Sequence, residues 1–574
     1  MTRMDRRRVI ETRQKYNRVK WLLALAFIGS TILFYFYGPG FIGRIINQRE
    51  VPEPYNLVYK GQPEQISVVI RQGIPFIPVS WIREHLVPDL EVLTQSGKAR
   101  WTPEEGSVHF MNPRVTESVA SVSFPIEVSL LEDGDDLYFP LHNMEPLLGV
   151  SASWHPDTKI LVVDDVRQPA QRGTLLEDAS LRVGHGRYDV KITTLEKDTE
   201  IRILETYENH YRVLSEKGLM GFLSQSSVGG LRRVEKDPMI SRFGPASPEM
   251  MERPFGLVWD YVGGTHPDRS DDEVIGVLSV FSPTWFELKD EQGHIDNRAQ
   301  FRYTHHMKHS GYQLWGLVTN AFDPDLTEAF MGNEVSRRRF INQLLVYAAM
   351  YQLDGINIDF ENIHFRNQDL FTDFVQELSE SLRQQDLIVS IDVTIPGGSL
   401  NWSQVYDRRA LEPHVDYFAV MTYDEHWGSS PTAGSVASIG WVERGIEATL
   451  EEVPPEKILI GLPLYTRLWE EKPQNGGGVS VSSRAMGMQF IRRTLEDHGV
   501  TENEWEWLEE IGQYYAEYEA EGNRYRVWLE DERSIALKAD LIEKYQLAGF
   551  AAWRKDFELP EIWEVLNEKL RTMK

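Results

Sequence analysis

The sequence predicts a multidomain chain whose C-terminal part is a (β/α)8 barrel. The chain has 574 residues, which is too long for one ordinary domain. After residue 254, eight strand-like segments occur with helix-like segments between several of them. Three stretches precede them. We interpret these as an N-terminal transmembrane helix, a small duplicated α+β domain and a small all-β barrel.

The N-terminal residues predict a membrane anchor. Residues 1–20 contain eight Lys or Arg and two acidic residues, and residues 21–43 contain no charged side chain. As a helix, the second stretch would span roughly 34 Å, enough for a bilayer core. A cleaved signal peptide is the alternative, but its apolar region would be shorter and would end at a small-residue site. We therefore expect a cytoplasmic basic tail (1–20), one signal-anchor helix (21–43) and an extracytoplasmic remainder.

The composition argues against several classes of function. The absence of cysteine excludes disulfides, Cys-ligated metals and a Cys nucleophile. The net charge is −27, and the basic tail makes the outer part of the chain more acidic still. Nucleic acid and anionic membrane surfaces are therefore not expected as partners.

Residues 44–60 are predicted to be a linker, and residues 61–166 a small α+β domain with an internal duplication. Ile74-Pro-Phe-Ile-Pro-Val79 and Leu137-Tyr-Phe-Pro-Leu141 each lead into a short helix-like run, and a further strand follows each run. The pattern resembles a domain first named from the N-terminus of copper amine oxidases. That resemblance implies a stalk or binding module, and nothing in the segment suggests copper.

Residues 173–232 predict several short strands between turns, for example 195–204 and 211–213. They resemble a bacterial SH3-like barrel, which implies cell-wall peptide or glycan as the ligand. A spacer without a ligand is the alternative, because fold does not imply function.

Residues 250–574 predict the barrel itself. The predicted strands are 255–260, 274–281, 313–319, 355–361, 387–394, 416–423, 457–463 and 547–553. Helical segments include 334–352, 367–384 and 438–450. A long polar and aromatic insertion, 465–531, separates the seventh and eighth strands and is expected to be α+β.

The segment Asp354-Gly-Ile-Asn-Ile-Asp-Phe-Glu361 predicts the strand that carries the chemistry. Alternate residues of a strand share a face, so Asn357, Asp359 and Glu361 point into the barrel. Glu361 ends this strand, where barrels place catalytic groups. Two neighbouring carboxylates cannot both ionise cheaply, so one should keep a proton, as a general acid must. An edge strand with a solvated acidic face is the alternative, but it does not explain the alternating helices and strands on both sides.

The motif Asp354-Gly-x-x-x-Asp359-x-Glu361 resembles the signature of family 18 glycoside hydrolases, the chitinase-like TIM barrels. With Asn357 and Phe360, it is similar to the branch of spore-forming bacteria that cuts spore cortex peptidoglycan. The resemblance implies that Glu361 protonates the leaving glycosidic oxygen. It also implies that the 2-acetamido group of the substrate is the nucleophile, and that Asp359 orients this group and stabilises its charge.

The segment Met421-Thr-Tyr423-Asp424 ends the sixth predicted strand with another pattern of the family, Met-x-Tyr-Asp. The resemblance implies that Tyr423 hydrogen-bonds the acetamido oxygen and that Asp424 lies near the acidic pair. Met421 and Asn357 are also predicted to bind substrate. A buried tyrosine that only satisfies the core is the alternative interpretation of Tyr423.

Aromatic residues after the last two strands are further candidates for the cleft. Trp553 ends the eighth strand, where the family has a platform tryptophan beneath the sugar, although an ordinary core tryptophan is about equally common. Tyr465 and Trp469 follow the seventh strand and are predicted to contact substrate. In the family, an insertion at this place often walls one side of the cleft.

Two departures from the family pattern bear on mechanism and substrate. Many chitinases have Asp where Asn357 stands, so Asp359 is expected to stay ionised through more of the cycle. The third strand ends in Leu317-Val-Thr-Asn320 instead of Ser-x-Gly-Gly, which makes long chitin a less secure substrate.

The sequence thus predicts a membrane-anchored, extracytoplasmic, retaining glycosidase acting on β-1,4 linkages of N-acetylglucosamine-containing glycans. Peptidoglycan is favoured over chitin-type oligosaccharides, and the SH3-like domain is expected to bind the cell wall. No cofactor and no metal are predicted, because His305, His306 and His309 lack an acidic partner and fit a solvated helix face. A non-catalytic glycan-binding protein on the same barrel is the alternative, but such proteins usually lack the acid that is present here as Glu361.

Overall fold

The computed structural model describes residues 55–234 and 251–573, together with Lys20. Within those ranges it leaves out 72, 104–112, 142–143, 166–167, 187–188, 264–266, 270 and 475–477. The predicted transmembrane helix (21–43) lies outside the described residues, as do most of the predicted tail and linker. Among the described residues, no helix is both long enough and apolar enough to cross a membrane.

The chain divides into two compact units, each of which combines two stretches of sequence. The first unit contains 1–68 and 149–238, and the second contains 69–148 and 239–574. The residues of the predicted α+β domain, 61–166, are therefore divided between the two units, whereas all of 173–232 lies in the first.

The first unit is built from strands in its described part, with one 3-10 turn, Gln225–Ser227. One sheet has four strands, in the order Val150–His155, Ile160–Asp165, Leu57–Tyr59 and Gln62–Glu64. The other has seven strands, which in chain order are Ala170–Leu175, Ala179–Arg182, Lys191–Leu195, Glu200–Thr206, His210–Ser215, Met220–Ser224 and Val228–Val234. Leu181, Val213 and Leu223 fill the core of the second sheet. The likeness of this sheet to an SH3-like barrel stays a prediction.

Residues 69–148 form two small sheets and three short helices. The strands are Val69–Arg71, Ile74–Pro78, Glu91–Leu93, Lys98–Trp101, Ile126–Ser129, Leu131–Asp133 and Asp136–Pro140, and the helices are Val79–His85, Pro113–Ala120 and Glu145–Leu148. The segments predicted to be duplicates, 74–79 and 137–141, overlap the strands Ile74–Pro78 and Asp136–Pro140. These strands pair antiparallel, and a helix follows each.

This small segment packs directly on the barrel of the same unit. The backbone N–H of Glu127 donates to the Tyr347 hydroxyl (3.3 Å), and the side chain of Asn297 donates to the Glu127 carbonyl (2.9 Å). Lys98 forms an ion pair with Asp296 at 2.8 Å. Residues 69–148 therefore cover part of the outer surface of the barrel.

The predicted barrel is confirmed. Its strands are β1 (Phe255–Asp260), β2 (Leu278–Leu288), β3 (Gln313–Thr319), β4 (Gly355–Asp359), β5 (Ile388–Thr394), β6 (Tyr417–Met421), β7 (Ile458–Pro463) and β8 (Gly549–Trp553). All neighbours pair in parallel, and pairing of β1 with both β2 and β8 closes the barrel. The surrounding α-helices are Phe301–His309, Pro324–Met331, Glu334–Met350, Gln368–Arg383, Arg408–Leu411, Ile439–Leu450, Glu532–Tyr545 and Glu561–Thr572.

Most predicted strand boundaries agree with the structure to within two residues, but the second strand does not. It was expected at 274–281, whereas β2 begins at Leu278 and runs to Leu288. A turn at Gly276 and Val277 delays its start. Its far end is lengthened because it pairs antiparallel with Ile295–Asn297.

Aromatic side chains close the lower end of the barrel. Phe255, Trp315 and Tyr417 lie near the beginnings of their strands, and their rings contact one another with centroids 5.2 to 6.0 Å apart. This packed layer leaves the other end, where the strands finish, to form an open site.

The insertion between β7 and β8 is a five-stranded antiparallel sheet with one α-helix. Its strands are Tyr465–Pro473, Val479–Gly487, Glu506–Leu508, Gln513–Ala520 and Asn523–Leu529, and its helix is Met488–Asp497. Leu468, Ile491, Leu495 and Val527 form its own small core.

Candidate active site

A cavity of about 730 Å³ opens at the C-terminal ends of the barrel strands. Residues at or just beyond the ends of seven of the eight strands contribute to its lining. The lining also includes Tyr465, Arg467 and Ala485 from the insertion, which therefore walls one side of the cavity. The carboxyl-bearing residues in the lining are Glu287, Asp359, Glu361, Asp392 and Asp424.

Asp359 and Glu361 both line this cavity, and hydrogen bonds hold the backbone at Glu361. β4 ends at Asp359, so Glu361 lies two residues beyond the strand and does not end it as expected. The side chain of Asn320 fixes this extension, because it accepts from the Glu361 N–H (3.0 Å) and donates to the Glu361 carbonyl (2.7 Å). Between the two acids, Phe360 points the other way and packs on Phe374, as alternation requires.

The two carboxyl groups compete for ionisation in the cavity. Burial raises the pKa of Asp359 to about 7. Burial and the charges of Asp359 and Asp424 raise the pKa of Glu361 well above its ordinary range. Near neutral pH, Glu361 therefore keeps its proton while Asp359 is close to its midpoint. One acid is poised to donate a proton and its neighbour can carry a negative charge.

Tyr423 and Asp424 follow β6 and reach the same cavity. Burial raises the pKa of Tyr423 well above its ordinary range, so its hydroxyl stays a hydrogen-bond donor. Asp424 has a left-handed backbone (φ 62°) and accepts from the Tyr465 hydroxyl (2.7 Å) and the Arg467 guanidinium (2.9 Å). Tyr465 thus lines the cavity and also holds Asp424 in place.

Trp553 and Met421 both line the cavity at the ends of their strands. Trp553 is partly exposed, and the edge of its ring system packs on Trp259 with centroids 6.0 Å apart. The position leaves part of the Trp553 ring open to the cavity, which is what a platform for an apolar sugar face requires.

Two predicted substrate-binding residues lie elsewhere. Trp469 is fully buried in the insertion, where its Nε1–H donates to the Gly434 carbonyl at 2.9 Å, so the expectation that it lines the cleft is wrong. Asn357 is also fully buried and lies outside the cavity lining. Its side chain donates to Asp392 (2.7 Å) and accepts from the Ser390 hydroxyl (2.5 Å), so it orders a neighbouring side chain instead of contacting substrate.

The sequence reasoning missed Asp392, although a signal was present. In β5 the polar residues Ser390, Asp392 and Thr394 alternate with apolar ones, as the acidic residues of the predicted fourth strand do. This alternation alone predicts that Asp392 points into the barrel. In the structure it is 1% exposed and lines the cavity with Asp359 and Glu361.

Two exposed aromatic rings near the cavity were also missed. Phe322 lines the cavity and is 43% exposed, and Trp402 is 41% exposed with its ring centroid 6.4 Å from that of Phe322. They come from the loops after β3 and β5. No local pattern in the sequence brings these loops together.

One group of acidic and histidine side chains among the described residues has ligand atoms close enough to hold a metal ion: Asp325, Glu328 and His364. His364 already contacts Asp325 at 2.7 Å, and Arg366 is paired with Glu328. These ion pairs are partly or fully exposed, and they give no evidence for a bound metal ion. The absence of a metal stays a prediction.

Comparison with known proteins relates this region to a family of hydrolases. Residues 296–558 match the family model described as "Glycosyl hydrolases family 18". The "Uncharacterized glycosylase YvbX" of Bacillus subtilis (strain 168) is 24% identical over 292 residues, which cover 49% of this chain and 81% of the relative. The "Cortical fragment-lytic enzyme" of the same organism is 26% identical over 264 residues, which cover 46% of this chain and 60% of the relative. The second match thus spans less than two thirds of its relative.

Among solved structures, the spore cortex-lytic enzyme SleL of Bacillus megaterium QM B1551 has a TM-score of 0.50. It is 21% identical, and the match covers 59% of this chain and 77% of SleL. At this identity the likeness concerns the fold alone, and it agrees with the closed eight-stranded barrel described above.

Proposed function

We propose that this chain, whose residues 296–558 match the model of family 18 glycosyl hydrolases, cleaves β-1,4 linkages next to N-acetylglucosamine. The observation that carries the proposal is the pair of neighbouring carboxyls at the end of β4, which line one cavity. Glu361 keeps its proton, and Asp359 lies two residues away in the same cavity. This is the arrangement that proton donation to a glycosidic oxygen needs.

The nucleophile in this proposal is the 2-acetamido group of the substrate. Family 18 is an exception to the scheme in which a second carboxylate attacks the anomeric carbon. Asp424, the acid beyond β6, is already bound to Tyr465 and Arg467. Tyr423 lines the cavity with a protonated hydroxyl that can donate to an acetamido oxygen, and Asp359 can balance the charge of the resulting oxazolinium ion. The anomeric configuration would be retained.

Peptidoglycan is the proposed natural substrate, with chitin-type oligosaccharides as the second choice. Two curated relatives are named "Cortical fragment-lytic enzyme" and "Putative sporulation-specific glycosylase YdhD", and a third is named "Di-N-acetylchitobiase". The uncharged stretch 21–43 after a basic tail supports a single-pass anchor with the barrel outside the cell. The seven-stranded sheet of the first unit would then bind the wall.

The proposal is tested with the purified chain on chitooligosaccharides and on peptidoglycan, with products identified by mass spectrometry. We expect cleavage products that carry N-acetylglucosamine at the new reducing end, and about 10²–10⁴-fold slower cleavage by Glu361→Gln. Binding of both glycans without any cleavage by the wild-type chain would contradict the proposal and favour a non-catalytic glycan-binding protein.

A further inference from the structure

Asp392 is the buried acid of the cavity to which the proposed mechanism gives no role. The register of β4 and β5 pairs Asn357 with Ser390 and Ile358 with Ile391. Continuing this register by one residue places Asp392 beside Asp359. Neighbouring strands lie about 4.8 Å apart. Both side chains line the cavity, and the charge of Asp359 raises the pKa of Asp392, so the two carboxyl groups lie near one another.

One carboxyl oxygen of Asp392 accepts hydrogen bonds from two N–H donors. Oδ2 accepts from the Trp259 indole (3.0 Å) and from the Asn357 amide (2.7 Å). The orientation of that amide is itself determined, because its oxygen accepts from the Ser390 hydroxyl. Oδ2 is therefore an acceptor and carries no proton.

The other oxygen, Oδ1, is buried, and no N–H or O–H group of the residues that the structure describes donates a hydrogen bond to it. A bare oxygen of an ionised carboxylate would be costly in this site, whereas a protonated oxygen has one hydrogen to donate. Burial and the charges of Asp359 and Glu361 raise the pKa of Asp392 well above its ordinary range, although Asn357 and Trp259 oppose the shift.

The titratable groups that face Asp392 from the other elements do not favour its ionisation. Tyr406 follows β5 and Tyr423 follows β6, and burial raises the pKa of both hydroxyls, so they stay neutral. Arg408 is close to Tyr406, but its guanidinium donates to the carbonyls of Tyr406 (3.2 Å) and Thr394.

We propose that Asp392 is a positioning residue that remains a neutral carboxylic acid, with its Oδ1–H donating to the carboxylate of Asp359. This hydrogen bond holds the Asp359 carboxylate in one orientation and favours its ionised form. Asn357 and Trp259 fix Asp392 in turn. The inference rests on the proposed function for the role of Asp359, but the position of the proton can be measured without substrate.

The first test is infrared difference spectroscopy at pH 8 on the full chain. Glu361→Gln serves as the background, so that the proton of Glu361 does not contribute. We expect a carbonyl band of a protonated carboxyl group that disappears when Asp392→Asn is added. Asn is nearly isosteric, can accept from Trp259 and Asn357 and can still donate to Asp359. An unchanged band in that region would overturn the inference, whether or not the chain cleaves glycans.

The second test separates positioning from packing through the pH profile of kcat. Asp392→Asn keeps the donor, so we expect its acid limb to stay close to that of the wild type. Asp392→Leu removes the donor, and we expect the acid limb to move up by about one to two pH units, the size of a lost hydrogen bond to a charged group. KM should change little.

Equal pH profiles for Asp392→Asn and Asp392→Leu would show a purely structural role and overturn the inference. If Asp392→Leu does not fold, Asp392→Ala replaces it, and the infrared comparison decides in any case. Failure of the proposed function would appear differently, as no hydrolysis by the wild type while the infrared result still stands.

Discussion

Replacing Asp359 with Asn should stabilise the barrel above neutral pH while it removes activity. The pKa of Asp359 is raised from 3.8 to about 7 by burial. An unfolded chain ionises this carboxyl near 3.8, but the folded chain keeps the proton until about 7. The stability that this carboxyl contributes is therefore fully present below pH 3.8, the unfolded value. It is lost as the pH rises from there through about 7, the folded value.

The magnitude follows from the size of the shift. About three pKa units at 1.36 kcal/mol each give roughly 4 kcal/mol, as an upper value because Glu361 titrates with Asp359. Asn has no proton to lose, so Asp359→Asn should equal the wild type at pH 4 and exceed its free energy of unfolding at pH 8. Activity should fall at every pH, because the charge opposite the oxazolinium ion is lost.

The assay is urea unfolding at pH 4 and pH 8, monitored by hydrogen exchange in β4 and β5, because a chain with two compact units need not unfold in one step. Asp373→Asn is the matched control, since Asp373 is exposed on the helix that follows β4. A variant Asp359→Asn that is less stable than the wild type at pH 8 would refute the reasoning. A stability difference that is the same at both pH values would refute it as well.

Three further predictions concern aromatic residues. Trp553→Ala should lower kcat/KM by at least about tenfold, since it removes the ring that faces the cavity. Trp469→Phe should leave kcat/KM unchanged and cost about 1 kcal/mol of stability through the lost bond to Gly434. Steady-state kinetics and thermal unfolding distinguish Trp553→Ala from Trp469→Phe. A kinetic defect in Trp469→Phe would contradict the placement of Trp469 outside the cavity. Trp402→Ala should lower kcat/KM on long oligosaccharides but not on the shortest substrate cleaved, and an equal loss at all lengths would contradict a role at the cavity edge.

The barrel was predictable because its strands carry strong local signals. Apolar runs bounded by turn residues predicted both ends of β1 and of β3 correctly. The alternation around Asp359 predicted which face of β4 points into the barrel. The same alternation is present in β5 and predicts that Asp392 points inward, although β5 carries no acidic motif comparable to that of β4.

Other features depend on contacts between segments that are distant in the chain. Tyr465 and Trp469 share one face of the strand Tyr465–Pro473, so alternation does not separate them. Only the packed structure shows that Tyr465 lines the cavity whereas Trp469, farther along the strand, is buried against Gly434. Phe322 and Trp402 meet only because β3 and β5 end at the same mouth. The packing of residues 69–148 on the barrel depends on individual hydrogen bonds, such as the one from Asn297 to the Glu127 carbonyl. A periodic pattern in the sequence does not predict such bonds.

The assignment of Glu361 as proton donor is tested most directly by comparing two leaving groups in Glu361→Gln. An oligosaccharide leaves as an alkoxide and needs the proton, so its kcat/KM should fall by about 10²–10⁴-fold. A dinitrophenyl glycoside of the same sugar leaves without protonation, so its rate should stay within about tenfold of the wild type. Equal losses on both substrates, or no loss on the oligosaccharide, would contradict proton donation by Glu361.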